Sequence, residues 1–237
     1  MAKKAKDPGY LHALRVLRAN LESFEHFASS AEAAELECAF QKTISWCSGL
    51  SSHFANNPAR VFLGGLWSEV VNILALVPLC FYRQSLIIMR IMLDHALAFS
   101  FYESHSKEFR TASQKQDFWM SRERIHEFHK LHSWDPRLQI ESLGVWSNFN
   151  ALYSDLSRFI HAQGPKKMSL VSCVDDIKPD AEDLKRVCCM AQRTDHVIGM
   201  FFASLYQDAF KEFTPDLQRT ILKGWNAEIT CGLRLSP

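Results

Sequence analysis

Apolar residues recur along most of this chain at intervals of three and four, the spacing that gathers them on one face of an α-helix. Leu11, Leu14, Leu17, Leu21 and Phe24 form one such row, and Leu36, Phe40, Ile44 and Cys47 form a second. From 83 to 102 the positions are apolar nearly all round, the pattern of a helix at the centre of a bundle. The segment 118–132 is amphipathic and rich in charge. Leu143, Trp146, Phe149, Leu152, Leu156 and Phe159 stripe a long helix over 138–161, and Val187, Met190, Val197, Met200 and Phe201 stripe another over 184–213. A short last helix is expected around 225–229.

The punctuation between these rows agrees with helices. Asp7-Pro8, Asn57-Pro58, Asp135-Pro136 and Thr214-Pro215 each place a capping side chain before a proline. The cap accepts a hydrogen bond from an early backbone N–H, and proline stands where its missing N–H does no harm. Ser29 and Glu32 have capping-box spacing, and Asp180 can cap a further start. Gly64-Gly65 and Pro78 are expected to divide the region 58–104, and Gly164-Pro165 to end the helix before it. The stretch 168–174 is the one with strand character, and a single short strand makes no sheet. The expectation is therefore all-α: one bundle of about seven helices with at most one short extended segment near 168–174. Residues 1–57 would supply N-terminal helices, 58–213 the core, and 214–237 a last helix and tail.

Composition narrows the function classes. The chain has 237 residues, 47% of them hydrophobic and 12% aromatic, enough for a substantial core. Its net charge of +1 lacks the basic excess of a dedicated duplex-DNA binder. Seven cysteines, an odd number without a Cys-x-x-Cys pair, fit reduced core thiols better than a disulfide or zinc framework. The basic N-terminus is not followed by an apolar stretch, so no signal peptide is read there. The most apolar run, 70–82, is shorter than the roughly 20 residues of a bilayer span, contains Pro78 and is expected to be buried core. A cytoplasmic chain with no membrane contact is the expectation.

Three clusters could carry chemistry. Tyr153, Ser157 and His161 stand four apart in one helical row, with Arg158 beside them and Lys166 and Lys167 just beyond. Metal-free RNA cleavage needs an acid/base and a cation for the phosphorane. His161 would be the acid/base, Arg158 the phosphate holder, Tyr153 and Ser157 orienting groups, and Lys166 and Lys167 phosphate-binding residues. The same His161 would also suit a helix C-terminus as a cap. The second cluster is Arg83, Arg90 and Asp94, charges set in a very apolar helix, with Glu69 and His95 as candidates for the same network. Buried charges need partners, so these form either a structural ion-pair network or the lining of a polar pocket. The third is Arg122, Arg124, His126, His129 and His132, whose spacing could hold a metal but lacks a completing carboxylate. No Gly-rich phosphate loop, zinc-protease motif or nucleophile elbow occurs. No metal and no cofactor are expected.

Two stretches together resemble the HEPN superfamily of helical proteins. One is 82–94, Tyr-Arg-Gln-Ser-Leu-Ile-Ile-Met-Arg-Ile-Met-Leu-Asp. The other is 152–161, Leu-Tyr-Ser-Asp-Leu-Ser-Arg-Phe-Ile-His. In such proteins an Arg-rich helix with an acidic residue packs beside a helix ending in a Leu-Ser-x-x-x-His type motif. The resemblance covers about residues 60–210. It implies a helical bundle, frequent dimerisation and, in many members, metal-independent ribonuclease activity used in toxins or phage defence. The family's catalytic pattern is Arg, four to six residues, then His. Arg158 and His161 have two residues between them, whereas Arg124 and His129 have four and form an alternative site. Three functions follow as expectations: a ribonuclease-type effector acting on RNA, a noncatalytic module binding a second copy or a protein partner, and a small-molecule sensor with a pocket around Arg83 and Arg90.

Overall fold

Every regular element among the described residues is helical, in a computed structural model that describes residues 9–27, 31–115, 121–132, 143–160, 173–233 and 235. Helices α1 (Gly9–Phe27), α2 (Ala31–Cys38) and α3 (Gln41–His53) lead, through a 3-10 turn at Pro58–Arg60, into α4 (Val61–Leu76) and α5 (Tyr82–Tyr102). Then come α6 (Ser106–Gln114), α7 (Arg122–His132) and α8 (Val145–Ile160). A second 3-10 turn at Val174–Asp176 precedes α9 (Ala181–Leu205), α10 (Gln207–Lys211), α11 (Pro215–Leu222) and α12 (Ala227–Gly232). The all-α class stands as expected, with more and shorter helices than the seven anticipated.

The extra breaks arise where periodicity continues but the backbone turns. The apolar row Leu36–Phe40–Ile44 crosses the turn between α2 and α3, where Ala39 and Phe40 are both buried. The row expected to run from 184 to 213 breaks at Tyr206, whose side chain is buried between α9 and α10. Gly64-Gly65 does not divide the region; both residues lie inside α4. A Cβ at Gly65 would stand 2.8 Å from the His95 ring, so this glycine makes room for a side chain of α5. The division falls instead at 77–81, around Pro78, where Cys80 takes φ +63°. Two expected caps act through their side chains. Asn57 accepts from the Ala59 N–H at 2.9 Å and Asp180 from the Asp183 N–H at 2.8 Å. Thr214 precedes the helical Pro215 without a side-chain cap. Asp7-Pro8, Ser29, Asp135-Pro136, Gly164-Pro165 and most of 168–174 lie outside the described residues; Val174 itself opens a 3-10 turn.

One hydrophobic cluster joins the three expected segments, because it takes Trp46 and Leu50 from α3, Phe99 from α5, Phe202 from α9 and Ile221 from α11. Helix α5 is its axis and packs on α4, α7, α8 and α9. Around Trp46 the packing is aromatic, with Phe213 edge-on at 5.4 Å and Phe210 at 5.7 Å between ring centroids. The start of α3 is closed from outside that helix. The buried Asp195 carboxylate of α9 accepts the Thr43 N–H at 2.7 Å and the Lys42 N–H at 3.4 Å. Burial pushes its carboxyl up to about 6 against the pull of those two donors.

Two expectations about apolar residues are corrected. The run 70–82 is buried on one side only. Val70, Ile73 and Val77 are buried, but Val71 and Leu74 continue an outward stripe of α4 that begins at Trp67. By length and composition alone Pro58–Leu76 and Tyr82–Tyr102 could cross a membrane; the second is mostly buried, as a core helix is. Among the cysteines Cys47 and Cys188 are buried, whereas Cys38, Cys173, Cys189 and Cys231 are exposed. Apolar neighbours in sequence do not bury a thiol that sits on the other face of its helix.

Candidate functional site

Positions four apart on α5 form one row: Arg90, Asp94, Ala98 and Tyr102. The row faces α7 and α8 and builds a polar site beside a cavity. The Arg90 guanidinium is nearly buried and pairs through Nη1 with the Asp94 carboxylate. Its Nε donates to Ser157 Oγ at 3.2 Å, and its guanidinium carbon lies 3.3 Å from the centre of the Tyr153 ring. Ser157 Oγ donates in turn to the Tyr153 carbonyl at 2.7 Å. A second guanidinium, that of Arg122 at the start of α7, reaches the same ring at 4.4 Å. Delocalised cations are attracted to an aromatic face, which is how two like charges come to share one tyrosine. Burial holds the Asp94 carboxyl above the usual carboxylate range, although Arg90, His95 and Arg122 all pull it down.

Tyr153 and Ser157 therefore meet Arg90, the partner of Asp94, joining two clusters that lie apart in sequence. Arg83 performs a different task. Its Nε and Nη2 donate to the Phe159 carbonyl at 3.2 and 3.1 Å, closing the C-terminal end of α8. Arg158 does not join the group. It stands one position past Ser157, is half exposed, and approaches Asp155 at 3.5 Å, whose other oxygen pairs with Arg193 of α9 at 2.7 Å. His161, Lys166 and Lys167 lie outside the described residues.

Arg124 and His129 do not share a surface. Arg124 is exposed, while His129 is buried and its Nε2 lies 3.0 Å from Ser100 Oγ. Burial, followed by the nearby His126 and His105, lowers the His129 imidazole to about 4. His126 stacks on Trp146, with ring centroids 4.3 Å apart. His126 and His129 are thus engaged in packing, and among the described residues no three His, Cys, Asp or Glu side chains converge as metal ligands would.

A cavity of about 300 Å³ opens beside the polar row. Asp94, His95, Arg122 and Tyr153 supply its polar wall, and Phe62, Leu97, Ala98, Tyr102, Ala112 and Ile125 the apolar remainder. The Phe62 and Tyr102 rings stack on each other, with centroids 5.6 Å apart and planes 15° from parallel. His95 lies 3.8 Å from Glu69 Oε1, and burial lowers its imidazole although Glu69 and Asp94 raise it. Phe62 and His95 also line a shallower neighbouring cleft formed by 55–68. Sequence reasoning named Asp94, His95 and Tyr153 but grouped Arg122 with the α7 histidines and missed the apolar walls of the cavity. Those residues look like ordinary core positions, and the signal available was a guanidinium that opens a helix beside a buried Arg–Asp pair.

No family model, no curated protein and no solved structure matches this chain. The class that fold and site define is an all-α bundle with a mostly apolar, aromatic-walled cavity between α5, α7 and α8, polar on one side.

Proposed function

We propose that the chain is a small-molecule-binding helical module, a sensor whose receptor is the cavity between α5, α7 and α8. The observation that carries this reading is the lining: a pocket of about 300 Å³ whose walls are mostly apolar and aromatic, with Asp94, His95, Arg122 and Tyr153 converging on one side. Ligand sites have this composition, because apolar walls supply affinity and a few fixed polar groups supply orientation. A purely structural ion-pair network would be closed over by packing. Here a cavity adjoins the network, and Ala98 and Ala112 present small side chains to it. The test is a fragment screen by thermal shift and ligand-detected NMR on the native chain and on Ala98→Phe, which fills the cavity. Fragments that bind the native chain and are lost in Ala98→Phe support the proposal. Fragments that bind both equally, or none at all, contradict it.

The metal-independent ribonuclease is the second reading. It is favoured by the packing of α5 against α8, with Arg90 on Ser157 and Tyr153, as the HEPN resemblance implies. On this reading His161 is the acid/base and Ser157 and Tyr153 orient it, while Arg158 must leave Asp155 to reach a phosphate. Incubation with total RNA and defined tRNA, with and without EDTA, beside His161→Ala and Arg158→Ala, decides it. EDTA-resistant cleavage lost in both variants supports the ribonuclease; no cleavage by the native chain counts against it.

A further inference from the structure

We infer that the cavity takes a small planar aromatic anion, its carboxylate or phosphate held by Arg122 and its ring lying along Phe62 and Tyr102. The inference rests on the pocket reading above and names the ligand class. It follows first from the sign of the charge left at the wall. The Asp94 carboxylate is already engaged by Arg90, so that pair contributes little net field. Arg122 pairs with Glu123 at 3.1 Å, but the Glu123 side chain is 69% exposed, and water screens such a contact. Of the two lining residues that carry a charge, Asp94 and Arg122, Arg122 is thus the one whose ion-pair partner lies in solvent. A ligand cation would meet that guanidinium together with an Asp94 carboxylate that Arg90 occupies. A ligand anion meets a fork of N–H donors whose planar geometry matches carboxylate or phosphate oxygens.

The shape of the cavity selects the rest of the ligand. Phe62 and Tyr102, both lining the cavity, stack on each other with an offset and lie within 15° of parallel. Ala98 and Ala112 keep the opposing helices from filling the space, and Ile125 adds a further apolar surface. A flat ring of one or two fused cycles suits that volume and can pack on the stacked pair as a third aromatic group, a contact an aliphatic chain would not make. Tyr153 is held in place by the Arg90 guanidinium at 3.3 Å, so the aromatic group beside Arg122 is fixed before a ligand arrives. Such preorganisation lowers the entropy lost on binding.

The experiment uses four matched probes with the full chain, titrated by calorimetry: 2-naphthoate, 2-naphthyl phosphate, 2-naphthol and 2-naphthylmethylamine. Either anion should bind at one per chain and at least tenfold tighter than the neutral and cationic probes; which anion binds tighter separates a carboxylate ligand from a phosphate ester. Arg122→Gln should abolish that preference while weak binding of 2-naphthol persists, and Arg122→Lys should restore part of it. Arg124→Gln, an exposed change on the same helix, should leave the preference intact. Naphthol or the amine binding as tightly as the anions, or a preference that survives Arg122→Gln, overturns the anion assignment and leaves the pocket reading standing. Failure of all four probes to bind the native chain overturns both.

Discussion

The two sides of α5 treat buried polarity in opposite ways. Toward α3 and α9, Phe99 meets Phe54, Phe202 and Tyr206 in a closed aromatic layer. Polar atoms trapped there gain little; Trp46 Nε1 and Tyr206 OH are buried without a hydrogen-bond partner among the described residues. Toward α7 and α8, Arg90, Asp94, Ser157 and Tyr153 satisfy one another and stand beside a cavity. The first side is packed for stability and accepts unsatisfied dipoles as part of that. The second keeps costly charges paired and space unfilled, which stability alone does not require.

The comparison can be broken most directly by deletion on the packed side. Phe202 is fully buried, and Phe202→Ala should destabilise the chain by about 3–5 kcal/mol in denaturant unfolding, through lost burial and a residual void. Tyr153→Ala, across the helix, should lower stability by less than half as much and should weaken ligand binding instead. Equal losses at both positions would show that the cavity side is ordinary core.

Two buried ionisable groups should titrate in opposite directions. Asp195, raised from 3.8 to about 6 in the fold, favours the folded state most below pH 3.8 and loses that contribution as pH rises through about 6. His129, lowered from 6.5 to about 4, contributes stability above pH 6.5 and loses it as pH falls through about 4. Each shift corresponds to about 3 kcal/mol at its limit. Acidification from pH 7 to 4 should therefore raise the stability of the native chain relative to Asp195→Asn and lower it relative to His129→Gln, measured by urea unfolding at each pH. Parallel profiles for native and variant chains would show that the group in question is not buried as described.

Asp94→Ala leaves a nearly buried Arg90 without its carboxylate, while Asp94 itself is about a third exposed. The loss should be about 1–2 kcal/mol, below that of a fully buried pair because solvent reaches the carboxylate. Smaller still, Arg83→Ala removes the donor to the Phe159 carbonyl and should cost about 1 kcal/mol, with faster hydrogen exchange confined to the end of α8.

Much of this frame was legible in the sequence. The near-continuous apolar pattern of 83–102 identified α5 as the central helix, and the charges within it announced a network. The row Tyr153–Ser157 marked a face of α8 without saying what that face meets. The identity of partners across helices was not legible, because periodicity reveals a face and not what covers it. For that reason Arg158 was placed with Ser157, although one residue along a helix turns a side chain by about 100° and sends it to Asp155. For the same reason Arg122 was read with the histidines of its own helix rather than with Tyr153. Gly64-Gly65 was read as a break because glycine is a poor helix former, yet a close neighbour such as His95 can select glycine inside a helix.

The claim that the α5–α7–α8 cavity is a receptor site is tested most directly by calorimetric titration of 2-naphthoate into the native chain and into Ala98→Phe. Saturable one-to-one binding to the native chain, abolished in an Ala98→Phe variant with an unchanged circular dichroism spectrum, is the expected result. Equal heats in both chains, or no binding to the native chain, would contradict the account.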